Sequence, residues 1–335
     1  MSTEQVGFRL TKLARIVQNY WDDNQSWLSL LIKVGILIAL CLALYLQVIH
    51  RQSLIEIKAL ASEVFASGKW SLLIPVILLI PLNWGFEAEK WRCLIVPAAS
   101  ISRLNAIRAV LGGVMLGLFT PNRVGEFGGR VMFIPKGSRL KAIPLSLIGS
   151  YAQIIITLFF GIIAGLMMVP DIGLKYFDEI LVIAIALLAF LLIIYYRFLP
   201  IIAIKLSELW KNGNSRFLLG LSDVKPFEFS RALLLSALRY AVFTAQYLIL
   251  LNLYGVHIGF YNTLSALGLI FLVQSLLPTF AVVELLRRGS IAVFFLGFFG
   301  ANEIAVLAAS TTLWMLNLVL PAIVGYVLLL GNKSS

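Results

Sequence analysis

Charge, histidine and cysteine are all scarce in this sequence. Charged residues fill 13% of its 335 positions, where a soluble domain carries roughly 25%. With a mean hydropathy of +0.95, a soluble core would leave too little polar surface to face water. That excludes an ordinary soluble enzyme. The two cysteines, Cys41 and Cys93, form no disulfide framework and no cysteine-type zinc site. The two histidines, His50 and His257, are far apart, so no metal site of ordinary composition is expected. There is no Walker loop, no dinucleotide fingerprint after a strand, no zincin HExxH and no soluble domain for ATP. No cofactor and no primary energy coupling are therefore expected.

Hydrophobic residues make up 60% of the chain. Six apolar runs approach or exceed the ~20 residues that cross a bilayer. They cover roughly 28–48, 70–90, 143–169, 179–198, 231–254 and 303–330. The first is too long for a signal-peptide core and lacks a small-residue cleavage site, so it reads as a retained helix. Ahead of it, residues 1–27 place Val6, Leu10, Leu13 and Val17 at helical spacing. This predicts a cytoplasmic, interfacial N-terminal segment, with a solvated tail as the alternative. Residues 28–330 then read as one polytopic membrane domain, and 331–335 as a tail.

Two further apolar stretches, about 107–134 and 263–299, are each split by a proline and then by charges. Pro121, Arg123, Glu126 and Arg130 split the first. Pro278, Glu284, Arg287 and Arg288 split the second. Both read as re-entrant helical hairpins, because irregular backbone at membrane depth persists only inside protein or beside water. The fold class expected is all-α, with about six full spans and two such hairpins.

The net charge of +11 fits the positive-inside rule better than nucleic-acid binding. With the N-terminus inside and each hairpin returning to its own side, 17 Lys and Arg lie inside and 4 outside. The first hairpin then opens to the cytoplasm and the second to the outside. Span, hairpin, span recurs over about 70–169 and 231–330, in opposite orientations. Glu126 and Arg130 are four apart, as are Glu284 and Arg288. Inverted repeats with broken helices are a common transporter architecture, with the site at the repeat interface.

The first split segment carries the most chemistry. Pro121 breaks or starts a helix. Gly125, Gly128 and Gly129 allow close backbone approach. Glu126 and Arg130 lie one turn apart and can pair. Ionised groups in hydrocarbon normally pair or face water. Arg123 and Arg130 therefore suit a phosphate, and Glu126 suits a cationic headgroup or an arginine to be held in place. A structural ion pair at a hairpin tip is the other reading. In the second segment, Glu284 with Arg287 and Arg288 makes either an opposite gate or an interfacial patch. Trp84, Glu87, Lys90, Trp91 and Arg92 are expected to form a belt at headgroup level. Gln153, Gln246, Gln274, Asn252 and Asn317 are expected to bond between helices. Gly113/Gly117 and Gly161/Gly165 are small-residue pairs that favour close packing.

The segment from Thr120 to Glu126, with Arg130, resembles the P-x-x-x-G-E-x-x-x-R signature of the lysylphosphatidylglycerol synthase transmembrane-region family. Trp91-Arg92 before the hairpin and Gly137-Ser138 after it also match, and the likeness covers roughly 25–330. The second segment matches only through Glu284 and Arg288. Ala281, Val282 and Val283 stand where glycines would be expected. The resemblance implies a flippase-like module of a bacterial inner membrane, without the soluble synthase domain and so without aminoacyl transfer. The expected function is translocation of an anionic or aminoacylated phospholipid, or a polyprenyl-linked lipid, with a headgroup site at Arg123, Glu126, Arg130, Glu284, Arg287 and Arg288. The alternative is a membrane partner that presents lipid to a separate synthase or glycosyltransferase, docked on the basic 197–231 loop. An enzyme using Glu126 as a base lacks a second catalytic group, so no catalytic role is expected.

Overall fold

The computed structural model describes residues 62–118, 120, 123–172, 177–195, 223–277 and 281–331. Contacts divide the chain into Met1–Arg51 and Gln52–Ser335. All described residues belong to the second unit. Their regular structure is all helical, with no strand among them. The interfacial segment 1–27, the span 28–48, Pro121, Pro278 and most of the basic 197–231 loop lie outside the described residues.

Local chemistry sets the helix ends. A 3-10 turn at Lys69–Leu72 leads into α1, Leu73–Leu94. Helix α2, Arg103–Gly117, is capped by the Ser102 hydroxyl, which accepts from the Asn105 N–H. After a break comes the seven-residue α3, Gly125–Val131. Helices α4, Arg139–Ile172, and α5, Phe177–Ile193, follow. Helix α6, Pro226–Leu253, starts with proline at its first position, where a missing N–H costs nothing. Helices α7, Phe260–Leu276, and α8, Ala281–Gly297, flank the second break. Asn302 caps α9, Glu303–Trp314. A π turn at Met315–Val319 joins α9 to α10, Leu320–Gly331.

Among the described residues, four helices are long and apolar enough to cross a membrane: Lys69–Leu94, Lys136–Met168, Pro226–Leu253 and Glu303–Leu329. The apolar part of α5 is shorter. The arms of the two broken segments contain 15 and 7 residues, then 17 and 17, each below the ~20 usual for a span. In both segments the two arms pack against each other.

The bundle buries polar and charged side chains among apolar ones and exposes large apolar residues. Ile74, Leu78 and Leu82 of α1, Leu234 of α6 and Val327 of α10 are exposed. Asn83, Glu87, Lys90, Arg130, Gln246 and Asn317 are buried. Lipid-facing helices need this arrangement, because hydrocarbon tolerates apolar surface and polar groups must bond within the protein. Helix α1 runs along α6, α4 along α7, and α2 along both α3 and α10. Buried residues of α6, α7, α8 and α9, among them Leu250, Ile270, Ala292 and Val306, form the hydrophobic core beneath the second hairpin.

The first hairpin depends on glycines, and a Cβ on Gly125 would collide with the Leu116 carbonyl oxygen. A Cβ on Gly129 would lie 2.7 Å from the Gly113 Cα and 2.8 Å from the Gly112 carbonyl oxygen. Helices α2 and α3 thus meet backbone to backbone. Gly128 is different. A Cβ there would meet nothing within 4 Å, so the expected close approach does not extend to it.

Candidate functional site

The polar interior is organised around Glu87. Its Oε2 lies 2.7 Å from Lys90 Nζ and 2.9 Å from an Arg239 nitrogen, and its Oε1 lies 2.9 Å from Arg130. Glu87, Lys90 and Arg130 are 3%, 1% and 3% exposed. This corrects the headgroup belt expected from sequence: Trp84, Glu87, Lys90 and Trp91 are buried in the bundle. Trp91 donates to the Ser146 hydroxyl of α4 at 2.7 Å. Arg92 lies in the C-terminal turn of α1 and binds Glu89, which also takes Arg231 of α6 at 2.6 Å.

Glu126 extends the network to the hairpin tip. It accepts from Arg130 at 3.2 Å and pairs with Arg123 at 2.5 Å. The Thr120 hydroxyl accepts from the Gly125 N–H at 2.7 Å and so closes the turn onto α3. Arg123 sits in that turn with φ of 58°, a left-handed conformation that a side-chain-bearing residue adopts at a cost of about 1–2 kcal/mol. At the other end of the network, Arg239 donates to Asn83 Oδ1 at 3.0 Å, and Asn83 donates to Asn317 Oδ1 at 2.7 Å. Asn317 lies in the π turn, a distortion that often marks functional positions. The Arg239 guanidinium also lies 5.0 Å from the Trp84 ring centroid.

The second hairpin has its own lock. Arg288 binds Glu284 Oε1 at 2.7 Å, and another Arg288 nitrogen donates to Gln274 Oε1 at 3.1 Å. Arg287 donates to the Gln274 carbonyl at 2.8 Å. Gln274 therefore ties α7 to α8 across the break.

Between these two assemblies lies a cavity of about 220 Å³. Arg123 from the first hairpin, Arg239 from α6 and Arg288 from the second hairpin all line it. Asn83, Gln153, Thr157, Gln274, Ser275 and Asn317 add uncharged polar groups, while Tyr240, Phe243, Phe271 and Trp314 form an aromatic wall. Among the described residues, no carboxylate lines the cavity. Glu87, Glu126 and Glu284 stand behind the arginines and hold them. The wall is also rich in donors. Among the described residues, Arg123 Nε, Trp84 Nε1 and Trp314 Nε1 are buried without an acceptor. Such an enclosure suits a ligand that is anionic and carries several acceptor oxygens.

No family model, no curated protein and no solved structure matches this chain.

Of the six residues expected at a headgroup site, Arg123 and Arg288 line the cavity. Glu126 and Glu284 orient them from behind. Arg130 is sealed beneath Glu126 and Glu87, and Arg287 binds a backbone carbonyl; neither lines the cavity. Sequence reading missed Arg239. Its signal was available: a lone arginine within an apolar run, which membrane depth rarely tolerates without a role. Gln153, Gln246, Gln274 and Asn317 do bond between helices, as expected, whereas Asn252 is exposed. Among the described residues, no group of three or more His, Cys, Asp or Glu is placed to hold a metal.

Proposed function

We propose that the protein is a lipid translocase whose cavity holds an anionic headgroup while the acyl or prenyl tails stay in the bilayer. The observation that carries this reading is the three guanidinium groups on a wall that has no carboxylate among the described residues. They come from both broken segments and from a span. Each lines the cavity, and each is paired with a carboxylate that is not among the lining residues described.

The architecture proposed is an inverted repeat of two re-entrant hairpins. Helices α1, α2–α3 and α4 correspond to α6, α7–α8 and α9–α10. The neighbour pattern supports it, since α1 packs on its counterpart α6, and α2 on α10 mirrors α7 on α4. The second arm of each hairpin carries a Glu–Arg pair four residues apart, Glu126–Arg130 and Glu284–Arg288. Two such halves facing from opposite leaflets supply an alternating path around one central site. The membrane proposed is a bacterial inner membrane, with the first hairpin opening to the cytoplasm. The likeness of the 120–130 segment to the lysylphosphatidylglycerol synthase transmembrane-region family agrees with this reading.

The test is reconstitution into vesicles with headgroup-labelled anionic lipids, following loss of label from the outer leaflet. The wild-type protein moves label faster than protein-free vesicles, and Arg239→Gln and Arg288→Gln slow it at least about tenfold, a loss of ~1.4 kcal/mol in barrier terms. Translocation is ruled out if no labelled anionic or aminoacylated lipid moves faster than in protein-free vesicles.

A further inference from the structure

The cavity's charge balance narrows the substrate, resting on the translocase reading above. The ion-pair network behind the cavity joins two carboxylates, Glu87 and Glu126, to four cations, Lys90, Arg123, Arg130 and Arg239. Two positive charges are left over. The second assembly pairs Glu284 with Arg288, and Arg287 beside them binds the Gln274 carbonyl, so that side supplies no spare negative charge. An uncompensated charge inside a bundle is costly, and among the described residues the cavity wall offers no carboxylate to neutralise it.

We infer that the ligand of this cavity is a lipid phosphomonoester in its dianionic form, whose two charges balance the excess left by Glu87 and Glu126. A phosphodiester headgroup carries one charge and leaves the other unmatched. An aminoacylated phosphodiester carries a cation as well and leaves both. Geometry points the same way. A phosphomonoester presents three terminal oxygens, and Arg123, Arg239 and Arg288 approach the cavity from three different elements. Trp84 and Trp314 add N–H donors without acceptors among the described residues. The second ionisation of a phosphomonoester lies near pH 6, so the ligand gains its second charge between pH 5.5 and pH 8, whereas a phosphodiester does not change.

The experiment is calorimetric titration of the detergent-solubilised full chain with dihexanoyl phosphatidic acid, dihexanoyl phosphatidylglycerol and glycerol 3-phosphate. At pH 8 phosphatidic acid binds at least about tenfold tighter than phosphatidylglycerol, and at pH 5.5 the two come within about twofold, the second charge being worth roughly that factor in a partly wet site. Gln274→Glu, nearly isosteric and on the cavity wall, supplies one negative charge and removes most of the preference at pH 8. Asn317→Asp repeats the comparison from the π turn, which also lines the cavity. Equal affinity for both lipids at pH 8, or an unchanged ratio in both variants, overturns the inference. Glycerol 3-phosphate binding as tightly as phosphatidic acid overturns its lipid half. Phosphatidic acid bound with the stated preference but never moved in vesicles upholds this inference and removes the translocase reading instead.

Discussion

Arg130 and Glu87 stand 43 positions apart in the chain and meet at 2.9 Å, both almost fully buried. One is on the short arm of the first hairpin and the other is on α1. Their bond joins the hairpin to the bundle through charge and not through apolar packing. Buried pairs of this kind add little net stability over a hydrophobic substitute, yet losing one partner is expensive. The arrangement therefore fixes geometry more than it adds stability. Arg130 also binds Glu126, and these two carboxylates hold the cavity arginines, Glu126 taking Arg123 and Glu87 taking Arg239.

Glu87→Gln leaves Lys90, Arg130 and Arg239 without their shared counter-charge. The expected loss is about 3 kcal/mol of stability, read as a clear drop in the thermal midpoint of the detergent-solubilised protein. Adding Lys90→Met to that variant recovers part of the loss. A single variant that melts with the wild type would show that Glu87 is not the hub.

Arg123→Gly separates backbone from charge. Glycine removes the left-handed strain at φ of 58°, worth about 1 kcal/mol, and also removes the guanidinium. The thermal midpoint stays level or rises, while vesicle transport falls. Arg123→Lys keeps the charge and retains more transport than Arg123→Gly. Equal transport by the two variants contradicts the role given to the side chain.

Gly129→Ala and Gly128→Ala are neighbours with opposite outcomes. The first places a methyl group against the Gly113 Cα and the Gly112 carbonyl. It costs about 1–3 kcal/mol by forcing α2 and α3 apart. The second meets open space and is neutral or stabilising by about 0.5 kcal/mol, since alanine orders a helix better than glycine. Thermal melts of the two proteins side by side decide it, and destabilisation of similar size in both would contradict the hairpin packing.

Removal of the acceptor on the π turn tests the other end of the network. Asn317→Leu leaves the buried Asn83 amide without its partner. The expected cost is about 1–3 kcal/mol for the orphaned donor. A melt within 0.3 kcal/mol of wild type, roughly the noise of such comparisons, would mean the Asn83–Asn317 bond is not formed.

Apolar run length alone determined that this chain is an all-helical bundle with membrane-length helices, because a ~20-residue apolar run has few other stable places to go. The four longest described helices fall on four of the six expected runs. The breaks near Pro121 and Pro278 were legible for an equally local reason, as proline and charge interrupt an apolar helix wherever they occur. Pairs four apart, Glu126 with Arg130 and Glu284 with Arg288, followed from helical geometry. Tertiary structure decided the rest. Nothing in the order of residues says that Glu87 is packed inside the bundle and not at a headgroup belt, since the same Trp–Glu–Lys–Trp pattern suits both. Nor does it say that Arg239, 152 positions from Glu87, shares its carboxylate, or that Arg130 is sealed away while Arg288 faces the cavity. Those outcomes depend on which helix faces meet, and that is set by backbone contacts such as Gly113 with Gly129 summed over the whole bundle.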